Sequence, residues 1–272
     1  MQNDVISAEE ALASLHRLFD RESWEHMFHI LEQKQAMLMS PHTDIFLLTA
    51  LEVLEVCTQD TFPTEWAITH AKLGIVYTEL ACGASERNAV LALALTHYQQ
   101  ALQILTEESF PVYWAIIQQG LCAVYLLKSD GNIADNLQQS IVRGQAALRV
   151  LTRMAYPFEW ASAHTYLGEA YRLATLYADL QELYSGRAVM QEQALRHLEA
   201  ALQVYTMFDY PLQWAKVQRF QGLIYLDRVQ GKRDENLARS SRCLKAALQA
   251  FNCEFSPFTW SEPGLGLGFS VF

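Results

Sequence analysis

The chain of 272 residues has little of several residue types that define other protein classes. Its 12 glycines and 7 prolines are too few for a collagen-like chain, and its 51% of hydrophobic residues argues against disorder. The five cysteines are odd in number and show no zinc-type spacing, which favours a reducing compartment. No apolar run reaches the roughly 18 residues of a membrane span, and no exported-protein leader opens the chain. We therefore expect a cytoplasmic protein with no membrane segment.

Positive charge is also scarce, and it is distributed unevenly. The net charge of −10 argues against general binding to nucleic acids or anionic membranes. Residues 1–110 contain 16 acidic and 5 basic residues, whereas residues 216–245 contain 8 basic and 3 acidic ones. Solvated helix faces would explain this pattern. The alternative explanation is recognition of an acidic partner segment, or head-to-tail self-association of the acidic and basic ends.

What the sequence does have is an internal repeat. Five of its six tryptophans stand in Pro-x-x-Trp motifs, which are preceded in four cases by an aromatic residue. The steps between these tryptophans are 48, 46, 54 and 46 residues. A fixed period of this length is typical of repeat architectures. The five tryptophans are Trp66, Trp114, Trp160, Trp214 and Trp260.

Other residues recur at fixed distances from the tryptophans. Glycine stands eight residues after four of them, and tyrosine stands eleven residues after four. A second glycine follows farther on, which we interpret as a loop residue. On this interpretation the third copy carries nine inserted residues before its loop glycine, and the first carries about two after it. The loop glycines are Gly83, Gly131, Gly186 and Gly231.

Each unit is predicted to be a pair of antiparallel helices, A and B. Proline is favoured in the first turn of a helix, so helix A is predicted to begin at Pro63, Pro111, Pro157 and Pro211. The loop glycine is expected to end helix A in the left-handed conformation. Helix B is predicted to begin near Asp/Asn residues and to run through an Ala-Leu pair to a threonine such as Thr106.

The same signals extend the prediction to both ends of the chain. Residues 43–59 are predicted to be a helix B with residues 23–39 as its partner, and residues 8–20 a leading helix. Residues 256–272 form either an irregular cap or a truncated copy. The fold class is therefore all-α, a right-handed solenoid of about 11 helices in a single domain, residues 1–272, whose segments are 1–61, 62–255 and 256–272.

The Trp, Leu-Gly, Tyr and Ala pattern in helix pairs resembles the tetratricopeptide repeat family. The long unit with aromatic-Pro-x-x-Trp-Ala is similar to a variant common in bacterial signalling proteins, where it often accompanies caspase-like (CHAT) protease or regulatory ATPase domains. The resemblance implies a non-catalytic scaffold or regulatory adaptor that binds a partner protein or peptide on its concave face. The alternative is a sensor that binds a small molecule in the groove.

Carrying the peptide-groove positions of that family onto this sequence gives candidate partner-binding residues, to which the basic fourth repeat adds three more. The segment 174–186, with Tyr177, is a second candidate surface, unless it simply lengthens helix A. The partner-binding candidates are Gln119, Thr165, Glu169, Arg172, Lys216, Arg219, Asp227, Arg228, Lys232 and Arg233.

Few residues suggest chemistry. Glu22, His26 and His29 fall on one helix face, but this spacing is common on polar faces, so we expect no metal site. His70 and His164 both stand four residues after a tryptophan, and we expect inter-repeat hydrogen bonds rather than catalysis, since no nucleophile accompanies them. The Gly-Leu-Gly-Leu-Gly run at 264–268 lacks the context of a phosphate loop. No enzyme activity and no cofactor are expected.

Overall fold

The structure, a computed structural model, describes residues 53–177 and 183–254 together with residues 47, 50 and 51. The described backbone is helical with no strand, which confirms the all-α class. The predicted helices at 8–20 and 23–39 and the tail at 256–272 lie outside this range, so the total of 11 helices and the solenoid stay predictions. After a helical stretch at 53–56, eight helices follow: α1 Pro63–Ala81, α2 Arg87–Ala101, α3 Pro111–Leu127, α4 Ile133–Ala147, α5 Pro157–Tyr177, α6 Leu183–Ala201, α7 Pro211–Asp227 and α8 Arg233–Glu254.

The four predicted helix A starts are confirmed. The helices α1, α3, α5 and α7 each begin at the proline of the motif. The aromatic residue before each proline accepts a backbone hydrogen bond from the tryptophan amide four residues later, as in Trp66 N to Phe62 O at 2.9 Å. Because proline has no amide hydrogen to leave unpaired, it suits a helix start.

Helix B ends earlier than predicted. The helices α2, α4 and α6 end at the alanine of the Ala-Leu pair, and nine residues then lead to the next proline. The threonine expected to close helix B instead organises this link. Thr152 Oγ1 accepts from Ala155 N, and Thr152 O accepts from Tyr156 N. Side-chain hydrogen bonds of this kind compete with helix propagation, which explains why threonine marks the link and not the helix.

Side chains in successive links between hairpins form hydrogen bonds with one another. Gln59 Nε2 donates to Gln103 Oε1 at 3.0 Å, and Arg153 Nη1 donates to Gln203 Oε1 at 2.6 Å. In both bonds the donor stands four residues before a motif proline, and the acceptor is the second residue of the following nine-residue link. The repeat in sequence is therefore matched by a repeat in contacts.

The three hairpin loops that the structure describes, α1–α2, α3–α4 and α7–α8, each have five residues, but the loop glycines do not all act alike. Gly131 and Gly231 have φ of 73° and 84°, as predicted. Gly83 does not share this conformation, so that prediction is wrong there. Helix α4 is capped by Asn132, whose side chain accepts from the backbone amides of Ala134 and Asp135.

The third hairpin accommodates its extra residues differently from the prediction. Gly186 is not a loop residue because it lies inside α6. Compared with the second hairpin, α5 has 21 residues where α3 has 17, and α6 has 19 where α4 has 15. The insertion is therefore eight residues, shared equally by two helices. In the first hairpin the two extra residues lie in α1, before Gly83.

Glycine at the eighth position after tryptophan permits close helix contact, as predicted. A β-carbon added to Gly74 would lie 2.7 Å from the ring of Tyr98 on the partner helix, and Gly222 faces Leu244 in the same way. The second hairpin reverses this arrangement. There helix A carries Cys122, and helix B carries Gly144 at the position of Tyr98 and Leu244. Close packing is thus kept with the small residue on the opposite helix.

The chain divides into two compact units, Met1–Trp114 and Ala115–Phe272, with the division inside α3. The single-domain prediction therefore stays a prediction. In the first unit α1 packs on α2. In the second, α5 packs on α4 and α6, and α7 packs on α5, α6 and α8. Among the helices that the structure describes, none is long and apolar enough to cross a membrane.

Candidate functional site

The predicted groove residues of α3 and α5 are mostly buried. Thr165 is buried and donates its hydroxyl to Ala161 O at 2.9 Å. Gln119 is half-buried, and its Oε1 has no hydrogen-bond partner. Because this oxygen is itself buried, it is an unsatisfied acceptor within the fold and not an exposed contact for a partner. Of these two predicted residues, Gln119 is therefore the one with spare bonding capacity.

Glu169 and Arg172 form a buried ion pair one turn apart on α5. Arg172 Nε and Nη2 donate to the two carboxylate oxygens of Glu169 at 2.6 and 2.7 Å, and Glu169 is only 1% exposed. Burial alone would lower the pKa of Arg172, but the hydrogen bond and charge of Glu169 outweigh it and raise that pKa. Both predicted residues are thus committed to one another.

Asp227 ends α7 and connects it to α6. Its carboxylate forms an ion pair with Arg187, and its backbone carbonyl accepts from Gln191 Nε2 at 3.2 Å. Gln191 also accepts from Val229 N at 2.9 Å. The side chain of Gln191 therefore fixes the beginning of the α7–α8 loop. Asp227, a predicted partner-binding residue, thus connects the third and fourth hairpins.

Arg228 makes a second connection between these hairpins. Its Nε and Nη2 donate to the carboxylate of Glu192 at 2.8 and 3.0 Å. The pKa of Arg228 is raised, and the hydrogen bond to Glu192 is the largest of the effects that act on it. The guanidinium also lies 5.6 Å from the ring centroid of Tyr225. Bidentate pairing of this kind fixes geometry more than a single surface charge does.

The remaining predicted cations lie nearer to the surface. Lys232 is exposed and lies 3.4 Å from Glu235, whereas Arg233 donates to the carbonyl of Leu226 at the end of α7. Lys216 lies 5.6 Å from the ring centroid of Tyr166, and Arg219 lies 5.0 Å from that of Phe220. Charge-pairing with a partner is therefore most accessible around α8.

Helix α8 carries a stripe of exposed cations that was not among the predicted partner-binding residues, although its charge excess was apparent in the sequence. Arg239, Arg242 and Lys245 are exposed and follow one another at three-residue steps, which places them along one side of the helix. Arg239 also lies 5.6 Å from the Tyr225 ring centroid. We call these three residues the basic stripe.

The repeating histidines form pairs within hairpins rather than between repeats. The Nδ1 atoms of His70 and His97 lie 2.8 Å apart, and those of His164 and His197 also lie 2.8 Å apart. His97 and His197 were missed by sequence analysis. The available signal was that each immediately precedes the large residue, Tyr98 or Leu198, that faces a repeat glycine.

Burial dominates the protonation of these rings. It lowers the pKa of His70 and of His164 to about 4, with the neighbouring histidine as a second cause. Burial alone lowers the pKa of His97, and it lowers that of His197 to about 4. Desolvation penalises the charged imidazole, so neutral rings are favoured at physiological pH.

Other candidate chemistry finds no site in the described ranges. No group of three or more His, Cys, Asp or Glu residues there could hold a metal ion. The Glu22, His26 and His29 set and the 264–268 glycine run lie outside those ranges. In the segment 174–186, α5 extends to Tyr177, which agrees with the alternative prediction that this segment lengthens helix A. Tyr177 itself is half-exposed.

Comparison with known proteins adds no functional assignment. The chain matches no protein-family model, no curated protein and no solved structure. A functional interpretation therefore depends on the geometry of this chain alone.

Proposed function

We propose that the protein is a non-catalytic interaction scaffold that binds an acidic segment of a partner protein. In this proposal its hairpins form a right-handed, tetratricopeptide-like solenoid, and the partner docks against the fourth hairpin. The basic stripe is the observation that carries the proposal. Three exposed cations on one side of α8 complement a run of carboxylates in an extended or helical peptide.

The connections around the stripe support a rigid binding surface. Arg228 pairs with Glu192, and Gln191 bonds both ends of the Asp227–Val229 segment, so the fourth hairpin is fixed to the third. A preorganised surface loses less conformational entropy on binding. The buried ion pair of Glu169 and Arg172 belongs to this support rather than to the contact surface.

A labelled decaglutamate peptide provides the direct test of charge recognition. Fluorescence anisotropy at low ionic strength should detect binding to the full chain, and the affinity should fall as salt screens the charges. Charge reversal by Arg242→Glu with Lys245→Glu should weaken binding by about tenfold or more.

Arg196→Glu is the matched control because Arg196 is an exposed cation on α6, outside the stripe. Its single reversal is compared with Arg242→Glu alone. Equal weakening by both would indicate only the effect of net charge. That result, or an absence of binding to the unaltered chain, would count against the basic stripe as a binding surface.

A further inference from the structure

One polar pair recurs at the same position in successive hairpins. The helix A residue stands four after the tryptophan, and the helix B residue immediately precedes the site that faces the repeat glycine position. In the first and third hairpins these residues are two histidines. In the second they are Gln118 and Arg143, whose Nη1 donates to Gln118 Oε1 at 3.1 Å. In these three hairpins the position therefore carries a hydrogen bond between the two helices, and histidine is not required for it.

Aromatic rings enclose each histidine pair in the same way. The Trp66 ring meets His70 edge-on at 4.4 Å between centroids, and the Tyr77 ring stacks on His97 at 5.2 Å. The corresponding distances in the third hairpin are 4.3 Å for Trp160 and His164 and 5.5 Å for Tyr171 and His197. These rings limit the access of water to the pairs.

The titratable groups that face the pairs are few. Tyr77 faces the first pair from α1, and Tyr171 faces the third-hairpin pair from α5 while its hydroxyl accepts from Gln145 of α4 at 2.9 Å. Within the described residues, the causes of the lowered histidine pKa values are burial and the partner histidine, with no contribution from a carboxylate. An added proton is therefore opposed by burial and, for His70 and His164, by the partner ring.

Proton counting shows why the pair is sensitive to acid. A contact between two Nδ1 atoms is a hydrogen bond only if one nitrogen carries a proton and the other does not. One added proton at a remote ring nitrogen leaves this bond intact, although it places a charge in a buried site. A second added proton makes both Nδ1 atoms donors and sets two cationic rings about 5 Å apart.

We propose that the two histidine pairs are acid-sensitive contacts. They hold α1 to α2 and α5 to α6 at neutral pH and release these helices in weakly acidic solution. The Gln118–Arg143 pair holds the second hairpin together by a bond that acid does not break. The chain thus combines acid-sensitive and acid-insensitive hairpins on one repeating design.

The direction of the pH effect follows from the sign of the shifts. A histidine with a pKa lowered from 6.5 to about 4 contributes stability that is complete above pH 6.5. This contribution is lost as pH falls from about 6.5 to about 4, because the unfolded chain binds protons that the folded pair excludes. The Gln118–Arg143 pair binds no proton in this pH range, so it does not make stability depend on pH.

Hydrogen exchange of the full chain, corrected for the intrinsic pH dependence of exchange, tests the proposal. Protection of α1, α2, α5 and α6 should fall at least about tenfold between pH 7 and pH 4.5, relative to α4 of the second hairpin. The variant His70→Gln with His97→Arg copies the second hairpin into the first. It should keep neutral protection of α1 and α2 and remove their acid sensitivity, while α5 and α6 stay sensitive.

The reverse change gives a second test if that variant fails to fold. Gln118→His with Arg143→His should introduce acid sensitivity into α4. The proposal is overturned if the wild-type hairpins lose protection equally on acidification. It is also overturned if the copied Gln–Arg pair leaves the acid sensitivity of α1 and α2 unchanged, or if the grafted histidines introduce none.

Discussion

Gly168 on α5 lies so close to Leu198 on α6 that a β-carbon added to the glycine would be 2.7 Å from the leucine side chain. Leu198 is fully buried, and the carbonyl of Ala194 would lie 3.3 Å from the same added atom. The leucine therefore has little space into which to move. This contact explains why a helix interior contains glycine despite its low helix propensity.

Gly168→Ala should lower the free energy of unfolding by about 1–3 kcal/mol, because the added methyl group overpacks the α5–α6 contact. Urea unfolding followed by circular dichroism measures the change. Gly186→Ala is the control, since Gly186 lies in α6 with no atom within 4 Å of an added β-carbon. It should be neutral or stabilise the protein by up to about 1 kcal/mol. Equal effects of the two substitutions would contradict the close-packing argument.

Glu169→Ala should destabilise the protein by about 3–5 kcal/mol, because it leaves the buried Arg172 guanidinium without its counter-charge. The control is Glu235→Ala, which removes the exposed partner of Lys232 and should cost less than about 1 kcal/mol. Chemical denaturation of the two variants compares the two pairs. If Glu169→Ala cost no more than Glu235→Ala, the buried pair would not be a structural element.

Gly131→Ala should cost about 1–2 kcal/mol, since alanine is disfavoured at the positive φ of this loop residue. Gly131→Asn should cost less, because asparagine tolerates the left-handed region better. Gly83→Ala serves as the loop control without a positive φ and should change stability less than Gly131→Ala. Melting temperatures of the three variants rank these costs, and a reversed order would exclude the conformational explanation.

Cys122 should be the slower of two thiols to react with iodoacetamide in the folded protein at pH 8. Burial raises its pKa to about 12, so the thiolate is about one part in ten thousand. Cys243 is only half-buried, and burial raises its pKa while Arg242 and Arg239 oppose the shift. Mass spectrometry of timed labelling separates the two sites. Labelling of Cys122 as fast as Cys243 would show that the second hairpin opens readily.

Much of the helical framework could be predicted from sequence because it depends on local rules. Proline at a helix start is a backbone effect of one residue, and Pro63 and Pro211 are the first residues of their helices, as predicted. The end of helix B was harder to predict. Thr152 could belong to either a helix or a turn, and its side-chain hydrogen bond to Ala155 N decides for the turn.

The candidate site was less predictable because it depends on pairs that are distant in sequence. The groove positions of the repeat family suggested partner contacts for Glu169 and Asp227, and the fold pairs these carboxylates with Arg172 and Arg187. Sequence spacing also placed Gly186 in a loop, although four extra residues at the start of α6 include it in that helix. The packing of the helices decides which charged side chains pair within the fold. The repeat period in the sequence does not specify that packing.

Affinity purification of the tagged chain from its native cells, quantified by mass spectrometry, tests the proposed scaffold function most directly. The account predicts that a partner containing an acidic segment is recovered with the wild-type chain and with the Arg196→Glu variant. The same partner should be lost with the double variant Arg242→Glu with Lys245→Glu. Recovery of the same partners at equal levels with all three chains would contradict it.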